Sequence, residues 1–128
     1  MFTIPQIKDA HLRVKSGADF PKYFRDLITL GVKSYETFVS EGNTIYYGDG
    51  FNASSEISPV TLKIKDVCDA EQFKAHLKAH QGGETDYPTF REDCAKSGVE
   101  KWIVKMDTKT CSYYDKAGNE VLVEQIPI

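Results

Sequence analysis

The chain lacks any apolar run near the ~18 residues that a helix needs to cross a bilayer, so no membrane span is expected. Its start, Met1-Phe2-Thr3-Ile4-Pro5-Gln6, has no basic segment followed by an apolar stretch, so no secretory leader is expected. Cysteine is scarce. Cys68, Cys94 and Cys111 form an odd set without C-x-x-C spacing, which points to reduced thiols in a cytoplasm. Basic clusters are missing as well. Sixteen Lys and Arg stand against nineteen Asp and Glu, and acids interleave with the lysines, as in Lys63, Lys65 and Asp66. Nucleic-acid binding draws on clustered cations that neutralise phosphates, so this mixed-sign surface argues against it.

What is present suits one globular domain. With 128 residues, 41% of them hydrophobic, the chain can build a core without a metal or disulfide staple. Thr3 and Gln6 read as a capping box. Ile4, Ile7, His11 and Val14 follow at helical spacing, up to a stop at Ser16-Gly17. Asp19 and Pro21 open a second helix carrying Phe20, Tyr23, Phe24, Leu27 and Ile28, and Gly31 ends it. Residues 32–39 and 44–47 carry strand chemistry about a turn at Glu41-Gly42-Asn43. Residues 48–56 read as a loop. Val60, Leu62 and Ile64 alternate with Thr61, Lys63 and Lys65, the pattern of a strand with one wet face. Asp69 with Gln72, and Asp86 with Pro88, open two more helices, and Gly98 stops the second. Strands are expected at 99–106, 110–114 and 120–126.

The order is helix, helix and three strands, twice. Residue identities agree with the doubling: Asp19-Phe20-Pro21 matches Asp86-Tyr87-Pro88, Gly31-Val32 matches Gly98-Val99, Tyr35 matches Trp102, and Tyr46-Tyr47 matches Tyr113-Tyr114, all at one offset of 67 residues. The expectation is an α+β fold built by internal duplication. It is one domain over 1–128, with repeats at about 3–66 and 69–128 and about six mainly antiparallel strands packed with four helices. Tyr35, Thr37 and Val39 in one repeat, and Trp102, Val104 and Met106 in the other, should face inward. Burying Trp102 alone removes on the order of 200 Å² from water.

Four stretches carry a resemblance. They are Val14-Lys15-Ser16-Gly17-Ala18-Asp19-Phe20-Pro21-Lys22-Tyr23, Gln72-Phe73-Lys74-Ala75-His76-Leu77-Lys78-Ala79-His80-Gln81, Cys94-Ala95-Lys96-Ser97-Gly98-Val99-Glu100-Lys101-Trp102 and Tyr114-Asp115-Lys116-Ala117-Gly118-Asn119-Glu120. The chain resembles the YbcV-like family, small bacterial proteins of unknown function, some prophage-borne and labelled "phage envelope protein". The resemblance implies a bacterial protein of prophage origin. It implies no activity and no catalytic residue.

Candidate sites follow from the residues. His76 and His80, four apart, share a helix face, a spacing that suits two metal ligands. Neighbouring Ala75, Lys78 and Ala79 offer no third ligand, and H-x-x-x-H lacks the glutamate of a zinc hydrolase. Their plainer role is that of half-buried or C-terminal helix histidines. His11, on the apolar seam of the first helix, reads as a core-edge histidine. Cys94 and Cys111 correspond to Leu27 and Thr44 and read as packing residues. Cys68 precedes a helix start, a setting that can depress a thiol pKa; it is the one candidate for reactivity, and the plainer reading is an unreactive thiol. Tyr46-Tyr47 and Tyr113-Tyr114 place one tyrosine of each pair on each sheet face. The outward ones are candidates, with Phe51, for an aromatic patch that suits a protein partner or ring-shaped ligand; the plainer reading is ordinary cross-strand aromatic pairing. The loop 48–58, with Asp49 between two glycines, has no phosphate-loop ending.

The candidate binding residues are therefore His11, His76, His80, Asp49, Phe51, Tyr47 and Tyr114, with no catalytic residue, metal set or cofactor. The function expected is a non-enzymatic cytoplasmic binding module that presents a sheet face or the long loop to a protein partner or to itself. The alternative is a small-molecule binder or enzyme using a cleft between the repeats, with His11, His76 or His80 as polar groups.

Overall fold

A computed structural model of the protein describes residues 2–14 and 19–126. Along them run α1 (Ile4–His11), α2 (Phe20–Leu30), β1 (Ser34–Phe38), β2 (Thr44–Tyr47), β3 (Asn52–Ser54), α3 (Ala70–Gln81), α4 (Tyr87–Ser97), β4 (Val99–Lys105), β5 (Thr110–Asp115) and β6 (Glu120–Gln125). The strands form one antiparallel sheet in the order β3-β2-β1-β4-β5-β6. The protein is α+β. No helix among the described residues is long and apolar enough to cross a membrane.

Three helix starts follow from side-chain caps, whereas Asp19, expected to cap α2, makes no such bond and Pro21 alone favours that start. Thr3 Oγ1 accepts the Gln6 N–H at 3.3 Å, and Gln6 Oε1 accepts the Thr3 N–H at 2.8 Å, closing the capping box of α1. Asp69 accepts from the Gln72 N–H at 3.0 Å, and Asp86 from the Thr89 N–H at 2.9 Å. Helix α1 ends at His11; the stop expected at Ser16-Gly17 lies outside the described residues.

The two halves of the chain run in step. Helix α4 begins and ends 67 residues after α2, as Pro88 follows Pro21. Tyr35 lies opposite Tyr46 in β1·β2, and Trp102 lies opposite Tyr113 in β4·β5. In the central β1·β4 pair, Glu36 faces Ile103, the residue at that same offset.

The third strand departs from the sequence pattern. Residues 60–65 form no strand, and the sheet edge is taken by β3, inside the stretch expected to be loop. The reason is where the backbone bonds go. The Leu62 N–H donates to Ser40 O at 3.0 Å, the Lys65 N–H donates to Ala95 O at 3.0 Å, and Val60 O accepts from Arg91 at 2.8 Å. With its polar groups taken singly by a turn, a helix end and a side chain, the alternation of Leu62 and Ile64 serves core burial and not a ladder.

The face expected inward is inward: Tyr35, Thr37, Val39, Trp102, Val104 and Met106 are all buried. Helices cover this face. Phe73 meets Tyr113 at 4.9 Å between ring centroids, and Phe90 meets Trp102 at 5.8 Å. Trp102, the only tryptophan, retains 9% of its surface. Its emission should be blue-shifted and resist iodide quenching; a red-shifted, readily quenched signal would contradict this packing.

Candidate functional site

Strand alternation puts Tyr46 and Tyr113 under the helices and Tyr47 and Tyr114 on the opposite face. That opposite face is open. Ile45, Tyr47, Ile103 and Tyr114 are all half-buried there, and Val123 is 44% exposed. At its centre Lys101 Nζ lies 2.9 Å from Glu36 Oε2. The same ammonium stands 6.0 Å from the Phe38 ring centroid and 5.8 Å from that of Tyr114. The hydrogen bond to Glu36 holds the Lys101 pKa above its ordinary value.

Tyr47 and Tyr114 thus share a surface, with β1 and β4 between their strands. Phe51 does not join them. Its ring packs on Phe2 at 4.6 Å between centroids. Gly48 permits this, because a Cβ there would sit 2.8 Å from the Phe51 ring and 2.9 Å from that of Phe2. Asp49 is solvated, with its carboxylate 3.9 Å from Lys33 Nζ.

The histidines are not brought together with these residues. His11 is an exposed residue whose ring meets Tyr23 edge-on at 5.2 Å; desolvation there lowers its pKa. His76 Nδ1 lies 3.3 Å from Asp93 Oδ2, tying α3 to α4. His80 stacks on Phe90 at 4.3 Å, with Nδ1 3.1 Å from Thr85 O. Among the described residues no three His, Cys, Asp or Glu side chains converge to hold a metal ion.

Cys68 departs from the reactive reading. Its pKa is raised, first by burial and then by the Asp115 and Asp69 carboxylates. Asp69 is the N-cap of α3, so its negative charge stands where the helix dipole was expected to act. Burial pushes the Cys111 thiol up to about 12, and raises that of Cys94 further. At pH 8, Cys68 should therefore react with Ellman's reagent more slowly than free cysteine, and the other two only after unfolding. A native thiol reacting faster than free cysteine would overturn this.

Arg91 was not singled out by sequence reasoning. It is buried, with 9% of its surface exposed, and its guanidinium bonds backbone carbonyls. Nε donates to Val39 O at 2.7 Å, Nη2 donates to Ser40 O and Val60 O at 2.8 Å each, and Nη1 donates to Ser58 Oγ at 3.2 Å. One signal was present. Arg91 stands on the helical line from Tyr87 to Cys94, where an apolar residue is due, and the residue 67 earlier is the fully buried Phe24.

The fold and these surfaces define an α+β protein with one helix-covered sheet face and one open face. Within that class, the chain belongs to a family of proteins of unknown function, DUF1398, which matches residues 8–125. A search of curated proteins finds no match.

Proposed function

We propose that the protein is a non-enzymatic binding module acting through its open sheet face, and that the occupant of this face is a second copy of the chain. The observation that carries this is the composition of the face. A solvated sheet face is polar at alternate positions, yet Phe38, Ile45, Tyr47, Ile103 and Tyr114 occupy those positions here. Such a patch gains by losing water.

Charge and area favour a copy. Glu36 and Glu120 stand against Lys101 and Lys105 on this face, so two like faces meet without net repulsion. Six strands about 4.8 Å apart offer on the order of 500 Å² per copy, about 1,000 Å² for two. That is the lower bound for a specific interface, so the dimer is weak. Sedimentation should show monomer passing to dimer as concentration rises through the micromolar range, and Ile103→Lys should hold the chain monomeric while leaving its thermal transition intact. Wild-type protein that stays monomeric throughout that range would overturn the proposal.

The same reading takes the chain as one domain of two like units, about 3–66 and 69–128, supported by the equal helix bounds and the matched strand registers. Three free thiols support a reducing, cytoplasmic setting. The resemblance to YbcV-like proteins supports a bacterial and prophage origin.

A further inference from the structure

A cavity of about 340 Å³ opens where the two halves of the chain meet. Ser58, Val60 and Leu62 line it from one half, and Tyr87, Arg91 and Glu92 from the other. We propose that this cavity binds a small organic carboxylate, with Arg91 as the group that holds the anion.

The argument starts from an uncompensated charge. Arg91 is about nine-tenths buried, yet its partners are three carbonyls and a hydroxyl, all neutral. No Asp or Glu forms an ion pair with it among the described residues. Buried charges are costly unless matched. A guanidinium has five N–H donors, and the four bonds leave one on Nη1 unused. Nη1 is also the atom that reaches Ser58, itself on the cavity wall. Ser58 Oγ accepts from Arg91 and from the Val60 N–H at 3.2 Å, so its own proton is left to donate. Two donors, one on a cation, thus converge beside an empty volume.

The walls say what the anion is attached to. Val60 is 58% exposed and Tyr87 43% exposed, and both line this cavity. They offer apolar contact to an aliphatic or ring-shaped body. A single cation matches a carboxylate; a phosphate monoester, with nearly two charges, asks for more. Glu92, exposed at the cavity, adds repulsion that weighs most on the dianion. The site occurs once, because its counterpart in the other half places Phe24 where Arg91 stands.

Benzoate is the test ligand, read by amide and Arg Nε–H shifts in ¹⁵N-labelled full-length protein. Saturable shifts confined to Arg91 Nε–H and the Gly42, Val60 and Leu62 amides are expected. Neutral benzamide should give none, and phenyl phosphate should bind more weakly. Glu92→Gln should tighten benzoate about two- to threefold by removing a solvated like charge. Tyr87→Ala should weaken it. Arg91→Lys should lose about tenfold or more, but Arg91 also ties loops to α4, so the two rim variants decide. Shifts that fail to saturate or that benzamide reproduces, an unchanged affinity in Glu92→Gln, or tighter binding of phenyl phosphate would each overturn the assignment.

Discussion

Gly98→Ala should destabilise the protein by about 3–5 kcal/mol, against about 1–2 kcal/mol for Gly31→Ala. Both glycines end a helix in the left-handed region, with φ of 84° and 99°. An alanine pays the same conformational cost at either position. The surroundings differ. A Cβ on Gly98 would lie 2.7 Å from Cys68 Cα and 2.9 Å from Val67 O, which are backbone atoms that cannot swing aside. A Cβ on Gly31 meets nothing within 4 Å. Urea midpoints at equal m-values measure the contrast. Equal shifts for the two variants would mean that the segment before α3 does not press against the end of α4.

Arg91→Met should cost about 3–5 kcal/mol, although methionine fills similar space and removes a buried charge. Replacing a buried ion pair with apolar residues is often neutral, because both partners leave together. Here the partners stay. The buried bond to Val39 O would be lost with no replacement donor, Val60 O would lose its donor at the cavity wall, and Ser40 O would keep only the Leu62 N–H. Arg91→Lys should recover only part of the loss, since an ammonium lacks the planar fork that serves three carbonyls at once. Denaturant unfolding gives the magnitude. Hydrogen exchange gives the location, because the Leu62 N–H donates to Ser40 O at 3.0 Å and should be released first. A neutral or stabilising Arg91→Met would show that the clamp contributes nothing net.

Much of the scaffold was legible before any coordinates. Caps such as Thr3 with Gln6, and Asp69 with Gln72, act over three residues, so local sequence determines them. Strand β2 falls at the expected residues 44–47 because its turn and its apolar pattern agree. The inward face of β1 and β4 followed from period-two alternation alone. The candidate site was less legible. Phe51 was expected beside Tyr47 but lies on Phe2, a residue 49 positions away along the chain. Cys68 was the one candidate for a reactive thiol, against a plainer unreactive reading, but burial raises its pKa, together with the Asp115 carboxylate, remote in sequence, and Asp69. Residues 60–65 carry a strand-like alternation that burial alone can produce.

By itself the sequence determined the number and order of helices, where each begins, and which strand residues face inward. These rest on neighbours three or four residues apart, or on alternation within one strand. Tertiary structure alone decided that β1 and β4 join the two halves, that β3 and not residues 60–65 completes the sheet edge, and that Arg91 sits buried among carbonyls at a cavity. Each of those depends on which backbone groups remain unpaired once the layers have closed, and that depends on atoms far apart in the chain.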